Sequence, residues 1–113
     1  MNNSKTVKTD TEDQTNIEKC LIMLFAPPAF EESLVDWLLE YDCISGFSTT
    51  ESYGHGQRSS AMSLLEQVAA RQRRIQFAIE IDSKLASVFL KEIGLDFPGL
   101  HYMVMPLLSA GRL

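Results

Sequence analysis

The sequence is short of the features that hold small secreted domains together or span a membrane. Two cysteines in 113 residues are too few for a disulfide scaffold. The longest apolar run, residues 20–30, is far below the roughly 20 residues of a transmembrane helix, and Pro27 and Pro28 interrupt it. Residues 1–16 show no signal-peptide pattern. We therefore predict a cytoplasmic protein without membrane insertion, in which Cys20 and Cys43 are buried, reduced side chains.

Basic residues are also scarce. Ten lysines and arginines stand against 15 acidic residues, and the net charge is −5. This balance argues against nucleic-acid binding, which needs a basic face to neutralise phosphates. The remaining composition, 45% hydrophobic, suits a single domain with a real core. Residues 1–16 are polar and without periodicity, which predicts a disordered tail before a domain at 17–113.

Motifs for catalysis and for metal binding are missing as well. No nucleophile–base set, H-x₃-H, CxxC or HExxH pattern occurs, so we predict no enzyme activity, catalytic residue, cofactor or metal site. His55 could ligate a metal, although a loop histidine without a chemical role is favoured. Met23, Met103 and Met105 could be copper(I) ligands, although core or interface packing is favoured. Cys20 and His101 are expected to be neighbours across the sheet.

The hydrophobic periodicity predicts four strands and two main helices. Strands are expected at 19–26, 46–53, 73–81 and 101–107. A first helix follows from the apolar stripe of Phe30, Leu34, Trp37, Leu38 and Tyr41. Leu85, Phe89 and Ile93 mark a second helix, which is capped by Asp82 or Ser83 and ends before Gly94. The spacing of Ser63 and Glu66 resembles a capping box and predicts a short helix at 64–70.

The order strand, helix, strand, strand, helix, strand predicts an α+β fold. With right-handed crossovers it is a ferredoxin-like βαββαβ sandwich, whose antiparallel four-stranded sheet carries two helices on one face. The first strand is apolar on both faces, and Met103 and Met105 add apolar surface to the fourth. No third layer is available to cover this second face of the sheet. We therefore predict that sheet faces of several copies pack together in a closed oligomer.

The most informative stretch runs from Gly46 to Arg58. It begins as a strand and reaches a glycine-flanked polar loop at residues 54–56, where we expect the strand to end. Such a loop can hold a small anion or a protein partner. Nearby arginines could contact the anion or partner through guanidinium groups, although pairing with surface carboxylates is favoured for any single one. They are Arg58, Arg71, Arg73 and Arg74.

The strand at 19–25, the segment at 46–56, the basic segment at 71–77 and the element order resemble the PII nitrogen-regulatory proteins, and more closely an uncharacterised PII-like family of small bacterial proteins. The resemblance implies a trimer that binds small effectors, typically adenine nucleotides, in clefts between subunits. It also implies that the loop after the second strand docks on a protein partner such as a membrane transporter. The effector-binding residues implied by this resemblance are Gly54, His55, Gly56, Gln57, Arg58 and Arg112.

The sequence thus predicts a non-enzymatic PII-like regulatory protein. An effector in the cleft would shift the long loop between conformations that differ in affinity for the partner. The alternative is a metal-responsive or metal-binding accessory protein linked to heavy-metal efflux, a context that the PII-like resemblance also implies.

Overall fold

A computed structural model describes residues 18–55 and 71–113. The predicted tail at 1–16 and the predicted helix at 64–70 lie outside this part of the chain. The strands are β1 (Lys19–Ala26), β2 (Ile44–His55), β3 (Arg71–Asp82) and β4 (His101–Pro106). The helices are α1 (Glu31–Glu40) and α2 (Ala86–Asp96), and each is preceded by a 3₁₀ turn, Pro28–Phe30 and Ser83–Leu85 respectively.

The strands of the described residues form one antiparallel sheet in the order β2-β3-β1-β4. The chain crosses over through α1 between β1 and β2 and through α2 between β3 and β4. This is the ferredoxin-like βαββαβ arrangement. The predicted fold class is therefore confirmed. Neither described helix is long and apolar enough to cross a membrane.

The core lies between the two helices and one face of the sheet. Alternate residues of β1 are buried from Cys20 to Ala26, as the period of two along a strand requires. On β3 the buried residues are Ile75, Phe77, Ile79 and Ile81. The helices complete the same hydrophobic cluster, α1 with Leu34 and Leu38 and α2 with Phe89 and Ile93. Each such side chain contributes roughly 1.5–3 kcal/mol on full burial, so this single cluster dominates the stability of the fold.

Local sequence signals explain how the helices begin. Pro28 occupies the first turn after β1, where its missing N–H costs no hydrogen bond and its fixed φ suits a helical start. Glu31 and Glu32 lie in the first turn of α1, at the positive end of the helix dipole. The Asp82 side chain accepts a 3.0 Å hydrogen bond from the Lys84 backbone N–H, which confirms Asp82 as a cap.

Two aromatic–carboxylate hydrogen bonds join the helices on their outer side. Trp37 Nε1 donates to Asp96 Oδ2 at 2.7 Å, and Tyr41 Oη donates to Glu92 Oε1 at 2.6 Å. The two rings stack with centroids 5.0 Å apart. The pKa of Tyr41 is raised to about 12. Burial is the largest cause, followed by the hydrogen bond to Glu92 and the charge of Glu92, and Cys43 makes a smaller contribution. These hydrogen bonds hold α1 against α2, and the bond from Tyr41 to Glu92 requires that the phenol keeps its proton.

Two predictions about glycine positions were wrong. β2 does not end at Gly54 but continues through His55, because β3 begins at Arg71 and supplies backbone partners to both residues. Gly94 lies inside α2, which continues to Asp96. The residue that takes a positive φ, +87°, is Gly99 in the following turn.

Two predictions about the cysteines were also wrong: the burial of Cys43 and the position of Cys20 beside His101. Cys20 is buried as expected, but Cys43 is an exposed free thiol in the turn between α1 and β2. Turns that connect regular elements run over the protein surface, so a side chain at this position does not enter the core. Cys20 pairs with Pro106 and Phe25 with His101, so Cys20 and His101 lie at opposite ends of the β1–β4 ladder rather than side by side.

The second face of the sheet lacks a covering layer in the described residues. Leu21, Met23 and Phe25 of β1 point to this face and are only half-buried. β4 is exposed at every position, on both of its faces. These residues form an exposed apolar surface, and such surfaces usually mark a site of interaction with another molecule.

Candidate functional site

An open groove lies at one end of the sheet, where β1 and β2 end and β3 and β4 begin. Antiparallel pairing brings these four strand ends together: Gly54 pairs with Gln72, Ala26 with Ile75, and Phe25 with His101. The groove has a volume of about 480 Å³. Its lining residues are Phe25, Ala26, Pro27, Phe30, Gly54, His55, Gln72, Arg73, Arg74, Pro98, Gly99, Leu100 and His101.

Arg74 and Gly54 form the most constrained part of this groove. The Arg74 guanidinium carbon lies 5.9 Å from the centroid of the Phe25 ring, within the range of a cation–π contact. A Cβ atom at position 54 would overlap this guanidinium group. Glycine at position 54 therefore allows the β2 backbone to approach Arg74 closely and leaves the guanidinium group lying across the sheet.

His101 adds a second polar side chain that can form hydrogen bonds. Its ring is 5.3 Å from that of Phe25, with 33° between the ring planes. Phe25 is thus contacted by both His101 and Arg74, and its ring fixes the position of two polar side chains. His101 was not among the predicted effector residues, because only the β1–β4 register shows that it stands beside Phe25.

Arg73 has a different orientation, because successive residues of a strand point to opposite faces. Its Nη2 and Nε atoms donate to Glu51 Oε2 at 2.8 and 3.1 Å. Both side chains are about half exposed, at 54% and 52%. Such a pair contributes about 0–1 kcal/mol. For Arg73, pairing with a surface carboxylate is the arrangement observed, and Arg74 is the better candidate for contacting a ligand.

Comparison with known proteins gives a family. Residues 16–113 match the family described as "Protein of unknown function (DUF3240)". The chain belongs to the DUF3240 family. None of the curated proteins matches the sequence.

Two solved structures resemble this DUF3240 protein. One is a DUF3240 family protein from Shewanella baltica OS155, with 22% identity, coverage of 84% of this chain and 96% of that one, and a TM-score of 0.68. The other is a Bacillus cereus protein related to NIF3, with 16% identity and a TM-score of 0.59. That match covers 80% of this chain but only 26% of the Bacillus chain. At these identities the likeness shows the fold alone.

The predicted effector residues of this DUF3240 protein are placed only in part. Gly54 and His55 line the groove. Gly56, Gln57 and Arg58 lie outside the described residues. Arg71 begins β3 and pairs with His55 through the ladder. Arg112 is exposed in the segment after β4 and is not among the residues that line the groove of its own chain.

A second, shallower pocket lies on the outer side of the helices. Trp37, Tyr41 and Leu95 line it together with the carboxylates of Glu40, Glu92 and Asp96, and its volume is about 350 Å³. Across residues 18–55 and 71–113, no group of three or more His, Cys, Asp or Glu side chains could hold a metal ion. The two pockets thus differ in charge: the first is lined by basic side chains and the second by acidic ones.

Proposed function

We propose that this DUF3240 protein is a non-enzymatic, PII-like regulatory protein whose groove binds a small anionic effector. The observation that carries the proposal is the position of Arg74, which lies against Phe25 and beneath the backbone of Gly54. A guanidinium group presents several donors in a planar fork and suits phosphate or carboxylate oxygens. Glycine at position 54 lets this guanidinium group lie close to the β2 backbone.

The charge distribution supports an anion. The groove lining contains two arginines and two histidines, and none of its described residues is acidic. This is notable in a chain whose net charge is −5. A cleft lined by one sign of charge concentrates ligands of the opposite sign. The rings of Phe25, Phe30 and His101 offer apolar surface beside the charged groups, which suits an anion that also carries a planar ring, such as an adenine nucleotide.

The exposed sheet face supports an assembly. Met103 and Met105 of β4 lie on this open face and are 45% and 40% exposed, and Leu108 and Leu113 in the C-terminal segment are fully exposed. Packing of sheet faces between copies would remove this apolar surface from water, and a trimer is the assembly that the PII-like resemblance implies. In a trimer, Arg112 of one chain would join the groove of a neighbouring chain and complete the anion site.

The position of the groove supports a regulatory output. Residues 56–70 follow His55, the last residue of β2, in the sequence, and His55 lines the groove. An effector bound beside His55 would contact the residue that immediately precedes this segment. It would change the affinity of the segment for a protein partner, such as a membrane transporter, only to the extent that it binds one conformation better.

Thermal unfolding with ATP, ADP, AMP and bicarbonate tests the effector. A ligand at about ten times its Kd adds about 1.4 kcal/mol, which raises the Tm of a domain of this size by roughly 5–10 °C. Arg74→Gln should weaken binding about tenfold or more, because it removes a charge-assisted hydrogen bond. Lys84→Gln is the matched control, since Lys84 follows the opposite end of β3.

Three results would count against the proposal. A flat response to all four ligands would contradict effector binding. Equal affinities for Arg74→Gln and the unchanged protein would contradict the assignment of Arg74 as the group that contacts the effector. Light scattering in dilute buffer measures the mass of the assembly. A mass equal to that of a single chain would contradict the proposed clefts between subunits.

A further inference from the structure

We infer that the open face of β1 and β4 carries a binding site for a soft monovalent metal ion, Cu(I) or Ag(I), formed by Met23, Met103 and Met105. The site is separate from the groove and does not depend on the proposed effector. The observation behind it is the strand register, which gathers three of the five methionines of the chain on one small patch.

The register sets the distances between these side chains. Met23 pairs directly with Met103, and Met105 lies two residues along on the same face of β4. Directly opposed residues of antiparallel strands have Cβ atoms about 4.5–5.5 Å apart, and diagonal neighbours are roughly 7–8 Å apart. Because a methionine side chain has three rotatable bonds, the three sulfur atoms can converge on one ion from these positions.

The patch is open to solvent in a single chain, and the sheet-face packing of the proposed trimer would place a bound ion between copies. Met103 is 45% exposed and Met105 is 40% exposed, while Met23 is half-buried. On the other side of Met23 the ladder holds Ala78, whose small side chain leaves room above the strand. Packing into the core of the domain therefore does not explain the choice of methionine here, since the core lies on the other face of the sheet.

The donor atoms determine the kind of ion. Thioether sulfur is neutral and soft, and it selects Cu(I) rather than divalent ions that prefer carboxylate or imidazole ligands. In the described part of the chain no cluster of His, Cys, Asp or Glu offers a competing site. His101 lies on the same face of β4, two residues before Met103, but its ring packs against Phe25. We therefore assign the three sulfur atoms as the ligands.

The test titrates the full chain with Ag(I), and with Cu(I) against a competing chelator under reducing conditions. All proteins carry Cys43→Ser, because Cys43 is an exposed thiol that binds both ions. We expect one ion per chain. In protein labelled with ¹³C at the methionine methyl groups, the NMR signals of the three ligands should shift on binding. Met62, outside the described residues, should keep its signal unchanged.

Substitution by leucine identifies the ligands, because it keeps the volume and removes the sulfur atom. Met103→Leu should weaken Ag(I) binding at least tenfold, and Met105→Leu should do the same. Met62→Leu is the matched control and should retain the original affinity. Circular dichroism and light scattering confirm that each variant keeps its fold and its mass.

Three outcomes would overturn the inference. The first is an unchanged Ag(I) affinity in both Met103→Leu and Met105→Leu. The second is loss of all binding once Cys43 is replaced. The third is a change of mass in Met103→Leu without any change in affinity, which would make the methionines contacts between copies of the chain rather than metal ligands.

Discussion

Alkaline pH should weaken the contact between α1 and α2 through a single group, the Tyr41 phenol. The folded protein raises the pKa of this phenol from 10.0 to about 12, mainly through burial and also through its hydrogen bond to Glu92. An unfolded chain has no such environment. The folded state therefore holds the proton more tightly than the unfolded state between these two values.

The sign and the size of the effect follow from proton linkage. The contribution of Tyr41 is fully present below pH 10 and is lost as the pH rises toward 12, because the unfolded state then releases a proton that the folded state keeps. A rise in pKa from 10.0 to about 12 corresponds to an upper limit of about 2.7 kcal/mol. Because Tyr41 is only half-buried, we expect a loss of about 1–2 kcal/mol.

Urea unfolding at a series of pH values between about 9 and 12 measures this loss. Trp37 is the only tryptophan of the chain, and it stacks on Tyr41, so its fluorescence reports on the relevant contact. Tyr41→Phe should be less stable at neutral pH by about 1 kcal/mol, because Glu92 loses its donor. The same variant should lose less stability than the unchanged protein as the pH rises.

Tyr102→Phe is the matched control, since it removes an exposed phenol from β4. It should keep the pH dependence of the unchanged protein. Only the difference in stability between each variant and the unchanged protein is interpreted. If Tyr41→Phe lost stability as steeply as the unchanged protein, the assignment of the alkaline transition to the α1–α2 contact would be refuted.

Three further predictions concern the fold. Phe77→Ala should cost about 3–5 kcal/mol in urea unfolding, because Phe77 is fully buried, and a cost below about 1 kcal/mol would contradict the core assignment. Gly99→Ala should cost about 1–2 kcal/mol because its φ is +87°, whereas Gly46→Ala has open space and no positive φ; equal costs would contradict this. A thiol reagent should label Cys43 rapidly and Cys20 only on unfolding, and similar rates would show that Cys20 is not buried.

The regular elements could be predicted because their signals are local. Alternation along β3 marks the buried face residue by residue, and the structure buries Phe77 as that alternation requires. β1 is apolar on both faces, so its sequence predicts a strand but not that Ile22 lies on the buried face. The spacing of Leu34 and Leu38 similarly gives the buried side of α1. The order of these elements, together with the preference for right-handed crossovers, then leaves few topologies other than the ferredoxin-like one.

The groove could not be predicted in the same way, because its key contacts join residues that are distant in the sequence. Phe25, Arg74 and His101 meet only when β1 is paired with both β3 and β4 in the observed register. The end of β2 was mispredicted for a related reason. Glycine at position 54 weakens a strand locally, but pairing with Gln72 in β3 continues the ladder and overrides this preference.

The distribution of charge argues that the groove, and not the pocket on the helices, is where an anion binds. The acidic excess of the chain includes Glu40, Glu92 and Asp96, which surround the helix pocket and would repel an anion there. The described lining of the groove has no carboxylate, although acidic residues outnumber basic ones in the chain as a whole. Glu51, the nearest acidic residue on β2, is held by Arg73, so Arg74 is left to face the groove. Folding has therefore separated the two signs of charge, and the groove proposed to bind an anion owes its basic lining on an acidic protein to that separation.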